Sequence, residues 1–72
     1  MSESEKIEVR NYLLNHKCNR CSISKVFYNE KNYFLSFYNN KKLILQFTMY
    51  NFESATKFAN KILDGTGICV SF

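Results

Sequence analysis

The chain has no proline, and its only glycines are Gly65 and Gly67. A chain so short of both has no linker, low-complexity tract or internal repeat to divide it, so its 72 residues are expected to form one compact domain, 1–72. It contains no apolar run of the roughly 18 residues that a membrane span requires. Its first ten residues, MSESEKIEVR, are charged and lack the apolar stretch of a secretory signal. A soluble, cytoplasmic protein with no membrane partner is the expectation.

Chemistry-bearing residues are also sparse. Histidine occurs once, at His16, and the acids Glu3, Glu5, Glu8, Glu30, Glu53 and Asp64 are scattered, with no pair at a spacing that implies a shared catalytic site. A nucleophilic pair of His16 with Cys18 or Cys21 would draw on neighbours at one helix end, and a chain this short has little surface left for a substrate cleft. The reading is of a protein that is not an enzyme and uses no cofactor.

What the chain does have is aromatic and branched residues: 46% of it is hydrophobic and 17% aromatic. They concentrate in Tyr33 to Tyr50, two strand-like runs joined by the polar turn Asn39-Asn40-Lys41-Lys42, the pattern of a β-hairpin. A three-residue loop Asn39-Asn40-Lys41, with one Asn in the left-handed region, sets Tyr33, Leu35 and Phe37 on one face with Leu43, Leu45 and Phe47. A single apolar face is what an antiparallel sheet in a small domain needs. The other face then carries Phe34, Ser36 and Tyr38 beside Ile44, Gln46, Thr48 and Tyr50.

Around this hairpin the chain falls into short elements. Ser2 to Lys17 reads as a first helix, opened by the capping box Ser2-x-x-Glu5, with Val9, Tyr12, Leu13 and His16 on one stripe. Ser22 to Tyr28 reads as a first strand, its adjacent apolar Val26 and Phe27 marking a bulge or burial on both sides, and Asn29 to Asn32 as the turn into the hairpin. Asn51 to Asp64 is an amphipathic helix capped by Asn51, with Phe52, Ala55, Phe58, Ala59, Ile62 and Leu63 as its apolar stripe and Gly65 just past its end. Ile68 to Phe72 alternates as a short strand at a sheet edge, ending on a Phe expected to be packed. The fold class is therefore α+β: a three-stranded antiparallel meander packed against the C-terminal helix, with an N-terminal helix and a short C-terminal edge strand, in the order α-β-β-β-α-β.

Through the second helix, this order and size resemble the double-stranded-RNA-binding domain. Where that family has a KKxAK cluster opening the second helix, this chain has Asn51 to Lys57, NFESATK, and where it has a Gly-Pro-x-His loop, this chain has Asn29-Glu30-Lys31-Asn32. The resemblance is one of element order, and it implies a fold without implying RNA contacts.

One segment has a recognisable chemical spacing. Cys18-x-x-Cys21 is able to clamp zinc, with His16 and Cys69 completing four ligands. A structural zinc site usually draws on a second paired knuckle, and here the distant donor is a lone Cys. The favoured reading is of small, partly buried free thiols at a helix-to-strand connection.

Composition says less about function than about fold. The net charge of +4 favours anionic partners through attraction that salt screens. Two non-catalytic readings follow. A protein-binding inhibitor or adaptor would use the semi-apolar face of Phe34, Tyr38, Ile44 and Tyr50, aromatics with few torsions making low-entropy anchors. A small basic nucleic-acid-binding module, for RNA or DNA, would stack bases on the same aromatics while Lys25, Lys31, Lys41 and Lys42 meet phosphates. The inhibitor is favoured. A short basic chain rich in Asn, Lys, Ile, Tyr and Phe, a bias typical of AT-rich coding sequence, looks similar to the host-directed inhibitors of phages and mobile elements, anti-CRISPR proteins among them. Its partner would then be a protein, such as a nucleic-acid-handling enzyme or its complex.

Overall fold

In the computed structural model, which describes residues 2–26 and 31–71, the order is α1 (Glu3–Asn15), β1 (Arg20–Lys25), β2 (Tyr33–Asn39), β3 (Lys42–Met49), α2 (Phe52–Leu63) and β4 (Val70–Ser71). The expected α-β-β-β-α-β arrangement is the one observed. The four strands form one sheet in the order β3-β2-β1-β4, antiparallel through the meander and parallel where β4 meets β1. The end of the expected first strand and the start of its turn, Phe27 to Glu30, and the terminal Phe72 lie outside the described residues.

Local chemistry explains the element boundaries. Ser2 and Glu5 form the expected reciprocal capping box: the Glu5 amide donates to Ser2 Oγ at 3.3 Å and the Ser2 amide to Glu5 Oε1 at 3.4 Å. The helix stops at Asn15, two residues before the sequence pattern suggests. There Lys17 turns into the left-handed region at φ 57°, so that its amide donates to Leu14 O and the Cys18 amide to Leu13 O. This is a Schellman cap closed by a lysine where glycine is usual, with Cys18 and Leu13 buried together beneath it. β1 begins at Arg20, earlier than Ser22, because the Asn19 amide already pairs with Tyr38 O at 2.9 Å and starts the ladder. At α2, Asn51 Oδ1 accepts from the Ser54 amide at 2.7 Å, and Gly65 follows the helix at φ 77°.

The hairpin carries one correction. Its loop is shorter than expected: Asn39 pairs with Lys42, leaving only Asn40 and Lys41 between the strands, with Asn40 at φ 56°. An even loop alone would mix the faces. The pairing then slips between Phe37 and Tyr38, so that Leu45 lies opposite Phe37 and Leu43 opposite Tyr38, with Ile44 as the extra residue of a β-bulge. Two loop residues plus one bulge residue have the same parity as a three-residue loop. Leu35 and Phe37 therefore do share a face with Leu45 and Phe47, as the apolar pattern demands. Leu43 does not join them and is 46% exposed, whereas Ile44, expected on the outer face, packs against the core.

That core lies between the sheet and both helices. Cys21 and Ile23 of β1 and Leu35 and Phe37 of β2 meet Ala55, Ala59, Ile62 and Leu63 of α2, with Leu13 of α1 closing one end. Phe47 bridges the layers, edge-on to Phe37 and tilted against Phe58. α1 contributes little else to the core: Val9 packs against it, while Ile7 and Leu14 remain about half exposed, and Tyr12 and His16 stack on each other at the surface. Because α1 lies beside α2, the domain has two layers. No described element packs over the second face of the sheet.

Candidate functional site

Strand alternation determines what that open face offers. Residues out of phase with the core positions are Arg20, Ser22 and Ser24 on β1, Phe34, Ser36 and Tyr38 on β2, and Gln46 and Thr48 on β3. The register sets Phe34 between Ser24 and Thr48, and Tyr38 between Arg20 and Leu43. Both aromatics are half-buried. The Arg20 guanidinium lies over the Tyr38 ring, 4.3 Å from its centroid, a cation–π contact that couples the two side chains across the strands. Between the aromatics, Ser36 is only 2% exposed, and its hydroxyl accepts from Gln46 Nε2 at 3.1 Å. The face is thus a small semi-apolar platform with its central polar group satisfied.

Other residues expected on this face are elsewhere. Ile44 is drawn to the core side by the bulge, and Tyr50 lies beyond the end of β3, 78% exposed. The lysines are dispersed. Lys41 and Lys42 occupy the hairpin tip, whereas Lys25 and Lys31 flank the opposite end of the sheet, Lys25 in the phase of the helix-facing residues. The five steps from Arg20 to Lys25 separate the two groups by about 17 Å of strand. Among the described strand residues Arg20 is the one cation in phase with the aromatics. No local pattern marks its role, because cross-strand register alone sets it over Tyr38.

The hairpin tip is tied to the α1–β1 connection. The Asn40 amide donates to Asn19 Oδ1 and Asn19 Nδ2 to Asn40 Oδ1, both at 2.9 Å, while Asn39 Nδ2 reaches His16 O at 3.3 Å. These bonds brace one end of the platform.

The four residues with zinc-ligand chemistry are not gathered into a site. His16 is exposed, its Nδ1 2.8 Å from Tyr12 O and its ring on Tyr12. Cys18 and Cys21 are buried free thiols in the core, and Cys69 is exposed. Among the described residues no three His, Cys, Asp or Glu side chains come together in a metal-binding group. Burial pushes the Cys21 thiol up to about 12, with the neighbouring Cys18 adding to the rise, which is the opposite of what a nucleophile or metal ligand needs.

No family model, curated protein or solved structure matches this chain. No helix among the described residues is long and apolar enough to cross a membrane. The surfaces of the domain must therefore speak for its function.

Proposed function

We propose that the protein is a non-catalytic binding module that engages a protein partner through the open sheet face, acting as an inhibitor or adaptor. One observation carries this reading. Phe34, Tyr38 and Arg20 sit together on the face that neither helix covers, while the lysines stand at the two ends of the sheet. Aromatic residues and arginine dominate the energetic centres of protein interfaces, and a rigid strand presents them at small entropic cost. A platform for single-stranded nucleic acid needs cations along the path of the backbone beside its stacking rings. Here, among the described residues, the strands supply this face with Arg20 alone.

Size and composition align the protein with host-directed inhibitors of phages and mobile elements, anti-CRISPR proteins among them, acting in the cytoplasm of the host cell. The partner in that case is a nucleic-acid-handling enzyme or its complex. Its contact surface would be acidic, since a chain of charge +4 cannot imitate a nucleic acid.

The test is capture from host lysate with and without nuclease, comparing variants. A protein retained after nuclease treatment, lost with Phe34→Ala or Tyr38→Ala and kept with Lys41→Ala plus Lys42→Ala, is the expected result. Loss of the partner on nuclease treatment, or tight binding to a random oligonucleotide that vanishes as salt rises, would transfer the protein to the nucleic-acid class.

A further inference from the structure

A second surface, independent of the Phe34–Tyr38 face, lies along the outer edge of the sheet. Among the described residues β3 pairs with β2 on one side only, which leaves the backbone groups of its other side free to pair. From Leu43 to Phe52 the chain carries no charged residue. Natural edge strands are normally blunted by inward charges, prolines or bulges, and here the one such device, the bulge at Ile44, protects only the beginning of the strand. Leu45 to Met49 is a regular, uncharged edge.

Beside the end of that edge is a groove of about 340 Å3, lined by Lys6 of α1, Met49 of β3, and Ser54, Lys57, Phe58 and Lys61 of α2. Its floor is apolar and its rim basic. Among the described residues only Lys57 of the three lysines has an ion-pair partner, Glu53 at 3.1 Å, and that pair is exposed to solvent. An extended chain laid beside Leu45–Met49 would send alternate side chains toward this groove, because a strand added to a sheet continues its alternation. A lysine-rimmed cavity with an apolar floor selects acidic side chains around an apolar anchor.

We propose that the β3 edge takes up an extended acidic segment of a partner protein as an added strand, seating an apolar side chain over Met49 and Phe58 and its carboxylates on Lys6, Lys57 and Lys61. The affinity comes from main-chain pairing and the anchor. The lysines supply selectivity and a salt-dependent association rate.

The experiment measures binding of the full chain to a labelled seven-residue peptide, Glu-Thr-Glu-Thr-Val-Thr-Glu, whose Val and Glu side chains share one face of an added strand, by fluorescence anisotropy, with amide chemical shifts mapping the contact. The peptide is expected to bind, to shift amides in Leu45–Met49, and to weaken as salt is added. Lys57→Glu with Lys61→Glu, both on the exposed face of α2, should lower affinity by about tenfold or more. Lys41→Glu at the hairpin tip, and Phe34→Ala with Tyr38→Ala, should leave it unchanged, which separates this surface from the open face. Equal binding of the same peptide with Lys in place of Glu, of polyglutamate or of an oligothymidylate would overturn the proposal. So would no binding at millimolar peptide, or shifts confined to the Phe34–Tyr38 face.

Discussion

The Arg10 Nε–H donates to Ile62 O at 2.8 Å, and its Nη2 reaches Lys61 O at 2.7 Å. A side chain of α1 thereby satisfies two of the orphan carbonyls at the end of α2 and sets a positive charge against the negative end of that helix dipole. Among the described residues it is the side-chain hydrogen-bond link between the two helices. Arg10→Ala should cost about 1–2 kcal/mol in urea unfolding, toward the low end for charged hydrogen bonds because water reaches the freed carbonyls. Arg10→Lys should recover only part of this, since an ammonium cannot span both oxygens with the planar geometry of a guanidinium.

Lys17 closes α1 in a conformation that favours glycine. A side chain in the left-handed region costs about 1–2 kcal/mol, and glycine gives back part of that gain through the greater freedom of its unfolded chain. Lys17→Gly should therefore raise stability by roughly 0.5–1 kcal/mol, seen as a higher Tm.

What was legible in the sequence was local. Ser2 and Glu5 are three residues apart, Asn51 caps the helix it precedes, and Ala55, Ala59 and Ile62 repeat at helical spacing, so each signal is complete within one turn or two. Arg10 meets Ile62 across 52 positions and Asn19 meets Asn40 across 21, and nothing in their own neighbourhoods marks them. The loop length is not legible for a different reason: a three-residue loop and a two-residue loop with a bulge leave the same alternation in the strands. Tyr12 and His16 fitted the helical stripe by spacing, but α1 reaches the core only through Val9 and Leu13. The open face was legible in Phe34 and Tyr38 and not in Arg20, whose position depends on register.

Core substitutions should rank by burial. Leu35 and Phe37 are fully buried, so Leu35→Ala and Phe37→Ala should each cost about 3–5 kcal/mol, a large share of a small domain's stability. Leu45 and Phe58 are only half-buried. Their truncation should cost about 1–3 kcal/mol, in proportion to the smaller area returned to water. Chemical denaturation of the four variants gives the ranking directly.

Cys21 makes stability sensitive to alkali. Its thiol rises from an ordinary 9.0 to about 12 in the folded chain, so above pH 9 the unfolded chain gives up this proton first. The contribution is fully present below that point and is lost as pH rises from 9.0 toward about 12. Stability measured across this range should fall, and fall less steeply in Cys21→Ala. In the folded protein an alkylating reagent should modify exposed Cys69 at neutral pH and spare Cys18 and Cys21 until the chain unfolds.

The bulge at Ile44 also determines where this strand tolerates a change in length. Removing Ile44 would bring Leu43 and Leu45 next to each other opposite Tyr38 and Phe37, the partners they already have. Every residue after it would keep its side of the sheet, and the loss would be the modest burial of one side chain. Removing Gln46 instead would turn Phe47 and Met49 outward and bring Thr48 against α2, inverting the strand beyond the deletion. A one-residue deletion at position 44 should therefore fold while the same deletion two residues later should not.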